Sequence, residues 1–279
     1  PYLSNVRIQA TALEFITVQR KEGKTWSPAI AGKPFPLVTR TDLAKRHSLR
    51  PTHPLLAFAQ LSDLHVTDAQ SPSRMEFAHA RVRSAYRPHE PLIPFGVNAA
   101  VKRINRYPYG PITGRHLDFV VMGGDATDNH EKVELYWVMR ILNGGSFIAN
   151  TGHPHKWEGV GATGDPYYWQ PSSSAADVYK NRGFPTIRNF WHTLLRTPVQ
   201  CPGLKVPWYA VQGNHDNCFI GAFPDSPIVN QFYVGAKKLM NLDLDDLLGN
   251  TYPELDKDTN PLADIITGKK EFLTTVTPD

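Results

Sequence analysis

Three short, nearly continuous apolar runs organise the middle of the chain, and each opens into a polar cluster. Leu55-Leu56-Ala57-Phe58-Ala59-Gln60-Leu61 ends at Ser62-Asp63, Leu117 to Met122 leads into Gly123-Gly124-Asp125, and Val206 to Val211 leads towards Gly213-Asn214-His215-Asp216. Runs of this length without strict alternation predict strands buried on both faces. Between the first two, Phe95, Val97, Val101 and Ile104 recur at helical spacing with Lys102, Arg103 and Arg106 on the wetter side, which predicts a helix over 95–107 that stops before Pro108. After the second run, Leu135, Val138, Ile141 and Leu142 predict a helix over 131–142. The stretch from Asn143 to about Pro185, rich in Gly, Pro, Ser and aromatic residues, is too long for an ordinary connection and predicts a functional insertion, with a helix around 186–196 after it.

Strands alternating with helices predict an α/β layered domain around a largely parallel sheet. The chain divides into an N-terminal extension over 1–53, with its clearest strand candidate at 13–18, a core over 54–240 that carries the insertion at about 143–185, and an acidic segment over 241–279. In parallel sheets, ligands gather beyond the carboxyl ends of the strands, which is where the three polar clusters fall.

Composition removes several classes. With 30 Lys+Arg, 26 Asp+Glu and 41% hydrophobic residues in 279, the chain is globular in type, and no run approaches the roughly 18 to 20 apolar residues that cross a bilayer. Residues 1–50 hold 9 basic and 3 acidic side chains, and residues 241–279 hold 3 basic and 9 acidic ones. The remaining Lys and Arg form no aromatic-interleaved stripe, so no nucleic-acid partner is expected despite a sequence pI of about 9.0. Two cysteines, Cys201 and Cys218, exclude a disulfide-dense scaffold and a Cys-based zinc knuckle. The chain begins at Pro1, which fits a processed polypeptide.

The clusters carry chemistry. Asp63-Leu64-His65 places a carboxylate and an imidazole two residues apart at a strand end. In Gly124-Asp125-Ala126-Thr127-Asp128-Asn129, Gly124 permits close backbone approach and Asp125 offers two oxygens that can bridge cations. In Gly213-Asn214-His215-Asp216, Asn214 can give its amide oxygen to a divalent ion and His215 can donate a proton to a leaving oxygen. Each motif has a plainer reading as a turn or helix cap; the order of all three, each after an apolar run, is what favours a metal site.

At these residues, from roughly Leu55 to Asp216, the sequence resembles the calcineurin-like metallophosphoesterase superfamily, whose signature runs Asp-x-His, Gly-Asp, then Gly-Asn-His-Asp/Glu. The resemblance implies a β-sandwich of two mixed sheets flanked by helices, with two divalent or trivalent ions, Mn, Fe or Zn. By position, Asp63 and His65 would hold the first ion, Asp125 would bridge both and Asn214 would hold the second. His215 would be the general acid, oriented by Asp128. The implied activity is hydrolysis of small-molecule phosphate mono- or diesters by a metal-bridging hydroxide. The alternative is a binding module with one metal or none and no catalysis.

Two departures qualify that expectation. The gaps from Asp63 to Asp125 and from Asp125 to Asn214 are long for the superfamily, and its closing Gly-His-x-His is missing, since no histidine follows His215. The sequence therefore reads as an amino-terminal portion, inactive or nearly so alone, with the second sheet partly missing and the further imidazoles in a missing C-terminal half. Gly152-His153-Pro154-His155 spells the motif in the wrong place and reads as a solvated loop. Gly159 to Gly164 matches a dinucleotide fingerprint but follows no strand, so it reads as a mobile loop. Trp157, Tyr167, Tyr168 and Trp169 read as packing for the insertion rather than as a substrate cleft, and Asp243, Asp245 and Asp246 as a solvated helix face. The long insertions and histidine-poor tail also resemble an actinobacterial branch exported by the twin-arginine route. That implies an extracytoplasmic location, with the cytoplasm as the alternative, and is compatible with a Cys201–Cys218 disulfide.

Overall fold

The computed structural model describes residues 16–19, 30–33, 42, 53–80, 83–110, 114–221, 227, 233, 236–239 and 273–275. In chain order the elements are β1 (Ile16–Thr17), β2 (Ile30–Ala31), β3 (Phe58–Leu61), α1 (Ile93–Arg106), β4 (Phe119–Met122), α2 (Lys132–Asn143), β5 (Gly145–Phe147), α3 (Phe190–Leu194), β6 (Val199–Cys201), β7 (Trp208–Ala210), β8 (Lys237–Leu239) and β9 (Leu273–Thr275). The three apolar runs are the parallel strands β3, β4 and β7 of one sheet, with β4 central. Phe58 lies opposite Phe119, and Val121 opposite Tyr209. The pairs β1–β2, β5–β6 and β8–β9 are antiparallel. The fold is mixed α/β, and no helix among the described residues is long and apolar enough to cross a membrane.

Both predicted helices form for the reason their spacing gives. α1 buries Pro94, Val97, Asn98 and Val101, and α2 buries Glu134, Trp137, Val138, Ile141 and Leu142, in each case one stripe of a 3.6-residue period. α1 ends at Tyr107, ahead of Pro108, which cannot continue a helix. α2 ends at Gly144, whose φ of 97° a side chain would resist. The two stripes meet Leu61, Met122 and Trp208 of the sheet, together with Phe147, Val199 and Cys201, in one core.

The strands are not buried on both faces, as their apolar runs predicted. β3 alternates exposed and half-buried positions, Phe58 is 50% exposed and Tyr209 62%. The helices cover only the face that carries Leu61, Met122 and Trp208. On the other face Phe58, Phe119 and Tyr209 form an aromatic row across the three strands, with ring centroids 5.4 and 5.8 Å apart. The β5–β6 pair packs against α1 and α2.

The predicted insertion is closed at its base by the β5–β6 ladder, which joins Gly145–Phe147 to Val199–Cys201. Its Trp157, Val160, Tyr168, Trp169, Tyr179, Phe190 and Leu194 form a second core together with Ala69 and Tyr86 from ahead of α1, with Trp157 stacked on Trp191 at 4.3 Å. Trp157, Tyr168 and Trp169 are thus packing residues, while Tyr167 stays exposed. The mobile-loop reading of Gly159 to Gly164 needs correction. A side chain at Gly161 would meet Trp191 at 2.5 Å and one at Gly159 would meet Trp157 at 2.6 Å, so these glycines let tryptophans close. The predicted helix at 186–196 shortens to α3. Cys201 and Cys218 are buried and not joined by a disulfide. The acidic positions Asp243, Asp245 and Asp246 lie outside the described residues.

Candidate metal centre

Three loops meet at the carboxyl ends of β3, β4 and β7. Backbone hydrogen bonds lace the first to the second: Asp63 N donates to Gly124 O (3.1 Å), His65 N to Asp125 O (2.9 Å) and Val66 N to Ala126 O (3.0 Å). Asp63, His65 and Asp125 all carry left-handed φ values, 53°, 45° and 50°. Such a conformation costs a non-glycine residue of order 1–3 kcal/mol and persists only where the surroundings over-determine it. The loops also press together through glycine. A Cβ on Gly124 would come within 2.9 Å of the Gly213 backbone, and one on Gly213 would overlap the Asp125 carboxylate and amide.

This packing brings His65, Asp125 and His215 into one group whose donor atoms all lie within 4.8 Å of one another. His65 Nε2 is 3.8 Å from Asp125 Oδ2, and the two imidazoles meet edge to face with centroids 4.5 Å apart. The other carboxylate oxygen, Asp125 Oδ1, accepts the His215 backbone N–H at 2.9 Å, which leaves Oδ2 towards the imidazoles. His65 and His215 are half-buried and Asp125 is buried, so the group sits at the floor of the rim and remains reachable.

Asp128 holds both rings. Its Oδ1 lies 2.8 Å from His65 Nδ1, close but outside hydrogen-bond alignment, and 3.4 Å from His215 Nδ1, which also lies 3.0 Å from the Asp128 carbonyl oxygen. A carbonyl only accepts, so His215 Nδ1 carries a hydrogen, and in the neutral ring Nε2 is left with its lone pair. Metal-binding histidines use this arrangement, with the far nitrogen fixed by a carboxylate or carbonyl so that the near one faces the ion. The residues present therefore suit a divalent ion.

The charge on Asp128 is held from behind. Arg74 Nη1 donates to Asp128 Oδ2, Arg87 Nη2 donates to Oδ1 at 2.6 Å, and both arginines also reach Glu90 Oε1, at 2.5 and 3.0 Å. Burial pushes the Asp128 carboxyl up, but the close contacts with His215 and His65 and the charges of Arg74 and Arg87 outweigh it and hold the group well below the usual carboxylate range. The same contact with Asp128 raises His215 above the ordinary imidazole value, against its partial burial. Glu134, three positions into the sequence after the N-cap Glu131, accepts from the Asp68, Asp128 and Asn129 backbone N–H groups at 2.7, 3.2 and 2.7 Å and so fixes the turn that presents Asp128. Burial pushes the Glu134 and Asp68 carboxyls up, although every one of these partners is a donor that suits a carboxylate.

The sequence-predicted residues divide. His65, Asp125, Asp128 and His215 come together; Asp63 is exposed, with its carboxylate engaged by Ser62 Oγ, and stands outside the close group. Asn214 is exposed on the same rim between Gly213 and His215. His153 and His155 are exposed in the insertion, linked to each other and to Arg196, and do not join the group. Sequence reasoning missed Arg74, Arg87 and Glu134. The two arginines lie 54 and 41 positions from Asp128 in a stretch with no motif, and only the fold places them behind it. It also gave His215 no place among the metal donors. Compared with known proteins, the chain matches no family model, no curated protein and no solved structure, so its functional reading rests on this geometry and on the order of the motifs.

Proposed function

We propose that this protein is a metal-dependent hydrolase of phosphate mono- or diesters, of the calcineurin-like type that its motifs resemble. The observation that carries the proposal is the convergence of His65, Asp125 and His215, with both imidazoles backed by Asp128, at the carboxyl edge of a parallel sheet. A Mn, Fe or Zn ion at this site would supply Lewis acidity towards a phosphoryl oxygen and lower the pKa of a bound water. The chain's part is to hold that ion through His65 Nε2, Asp125 Oδ2 and His215 Nε2. Asp128 keeps the rings oriented, and the exposed Asp63 and Asn214 complete the rim where a second ion would sit.

The test is turnover of a nitrophenyl phosphate ester, measured with any residues that follow Asp279 in the gene present. Turnover should require added metal and disappear in Asp125→Ala; full activity in that variant, or in metal-free protein, would refute the proposal. His215→Ala separates the two roles open to this residue. Loss of bound metal marks a ligand, whereas retained metal with turnover lowered by about 10²- to 10⁴-fold marks the general acid. A metal-holding module without catalysis is the second reading, favoured by the exclusion of Asp63 from the close group. Metal binding with no ester hydrolysis would select it.

A further inference from the structure

We propose that Asp216 is the positioning residue of the metal centre, the side chain that brings the donors of two separate loops to one point. This rests on the metal-site reading above. Asp216 touches none of the reacting region, yet its carboxylate is fully engaged with the loop that carries Asp125 and Asp128. Oδ1 accepts from Thr127 N at 2.8 Å and Thr127 Oγ1 at 2.9 Å. Oδ2 accepts from Ala126 N at 3.2 Å and, within its own loop, from Gly213 N at 2.9 Å. The Asp216 carbonyl oxygen lies 2.6 Å from His130 Nδ1, just past the same loop.

These contacts bracket the site. Ala126 and Thr127 are the two residues between the donor Asp125 and the ring-holding Asp128, and Asp216 directly follows the donor His215. Both loops need such a clamp. Asp125 is held in a left-handed conformation, and Gly213 is pressed against it more closely than any side chain would allow. With the loops locked, the His215 amide reaches Asp125 Oδ1 and turns Oδ2 towards His65. The two carboxylate oxygens face only donors, Gly213 N, Ala126 N, Thr127 N and Thr127 Oγ1. The ionised form is the one that can accept all four. Asparagine has the same shape, but its amide nitrogen would face N–H donors, so Asp216→Asn breaks the clamp on one side without leaving a cavity.

The test is Co²⁺ titration of wild type, Asp216→Asn and Thr127→Val, following the visible ligand-field bands, with circular dichroism and a urea unfolding curve to define the folded fraction. Positioning predicts that folded Asp216→Asn binds Co²⁺ about 10- to 100-fold more weakly and with altered bands, the usual size of an outer-sphere effect on metal affinity. Thr127→Val loses only the hydroxyl contact; it should weaken binding by about two- to tenfold and keeps the inference testable should Asp216→Asn not fold. Wild-type affinity and bands in the folded variants would overturn the positioning role alone. A wild-type protein that binds no Co²⁺ would overturn the metal site itself, and the inference with it.

Discussion

Replacing Arg74 by Met should destabilise the protein by about 3–4 kcal/mol, although Arg74 touches neither a candidate donor nor the rim. The Arg74 side chain is 5% exposed, and those of its partners Asp128, Glu90 and Glu76 are 1–2% exposed. It donates to Asp128 Oδ2, to Glu90 Oε1 at 2.5 Å, to Asn129 Oδ1 at 3.2 Å and to the Ala85 carbonyl at 3.4 Å. Methionine fills much of the same volume, so the loss is electrostatic rather than a cavity. Removing one partner of a buried ion pair costs roughly 3–5 kcal/mol, because the other charge stays buried. Two features draw the figure to the lower end: Arg87 remains on Asp128 and Glu90, and Lys238 Nζ remains 3.1 Å from Glu76 Oε1. An orphaned carboxylate can also take up a proton at neutral pH, and a rise of about three pKa units corresponds to about 4 kcal/mol, which caps the penalty. Urea unfolding at pH 7 should show the midpoint falling at constant m-value, with a drop in melting temperature on the order of 10 °C. A loss below about 1 kcal/mol at unchanged m would show that the Arg74 network carries no net stabilisation and that Asp128 needs no second arginine.

Gly213→Ala should destabilise by about 1–3 kcal/mol as overpacking and should also weaken metal binding, because its new methyl would displace the Asp125 carboxylate; calorimetric metal titration beside thermal unfolding checks both. Asp177 accepts from Gln170 N, Tyr179 N, Lys180 N and Lys180 Nζ at 2.8–3.0 Å, so Asp177→Ala should open the insertion to proteolysis near Lys180 while leaving metal binding intact. Burial raises the Asp177 carboxyl, but the hydrogen bonds from Lys180 and Gln170 outweigh it and depress its pKa. Its stabilisation is therefore present above the unfolded value of about 3.8 and lost as pH falls below it. Protease resistance of the insertion should fall over that acid range in wild type and be less pH-dependent in Asp177→Ala. Replacing both His153 and His155 by alanine should leave metal stoichiometry unchanged, as measured by elemental analysis; loss of an equivalent would bring the insertion into the site.

What the sequence made legible was the set of local, periodic features. The stripes Val97–Val101 and Val138–Ile141 located both long helices within two residues, and three apolar runs located the parallel sheet together with the rim where His65, Asp125 and His215 meet. Burial of the strands was misjudged because a run such as that before Asp63 looks the same whether one face is covered or two, and Phe58 and Tyr209 turned out to face outward. The β5–β6 pairing joins residues more than fifty positions apart through three-residue strands, too short for a periodic signal. Arg74, Arg87 and Glu134 were invisible for a related reason: their roles come from which buried carboxylate or backbone amide they meet, and spacing does not encode that. The motif residues were visible, but their division of labour was not. His65 and Asp125 turn into the group from left-handed backbone positions, and His215 joins them because its loop is tied to the Asp125 loop through the His215 amide and the Asp216 carboxylate, while Asp63 stays exposed.

The central claim is that His65, Asp125 and His215 form one site for a divalent ion. Isothermal titration of Mn²⁺ and Zn²⁺ into the metal-free chain, wild type beside the single alanine variants of these three residues, tests it most directly. The account predicts at least one equivalent bound by wild type and a loss of that equivalent in each variant with the fold retained by circular dichroism. Undiminished binding in the Asp125→Ala variant, or none in wild type, would contradict it.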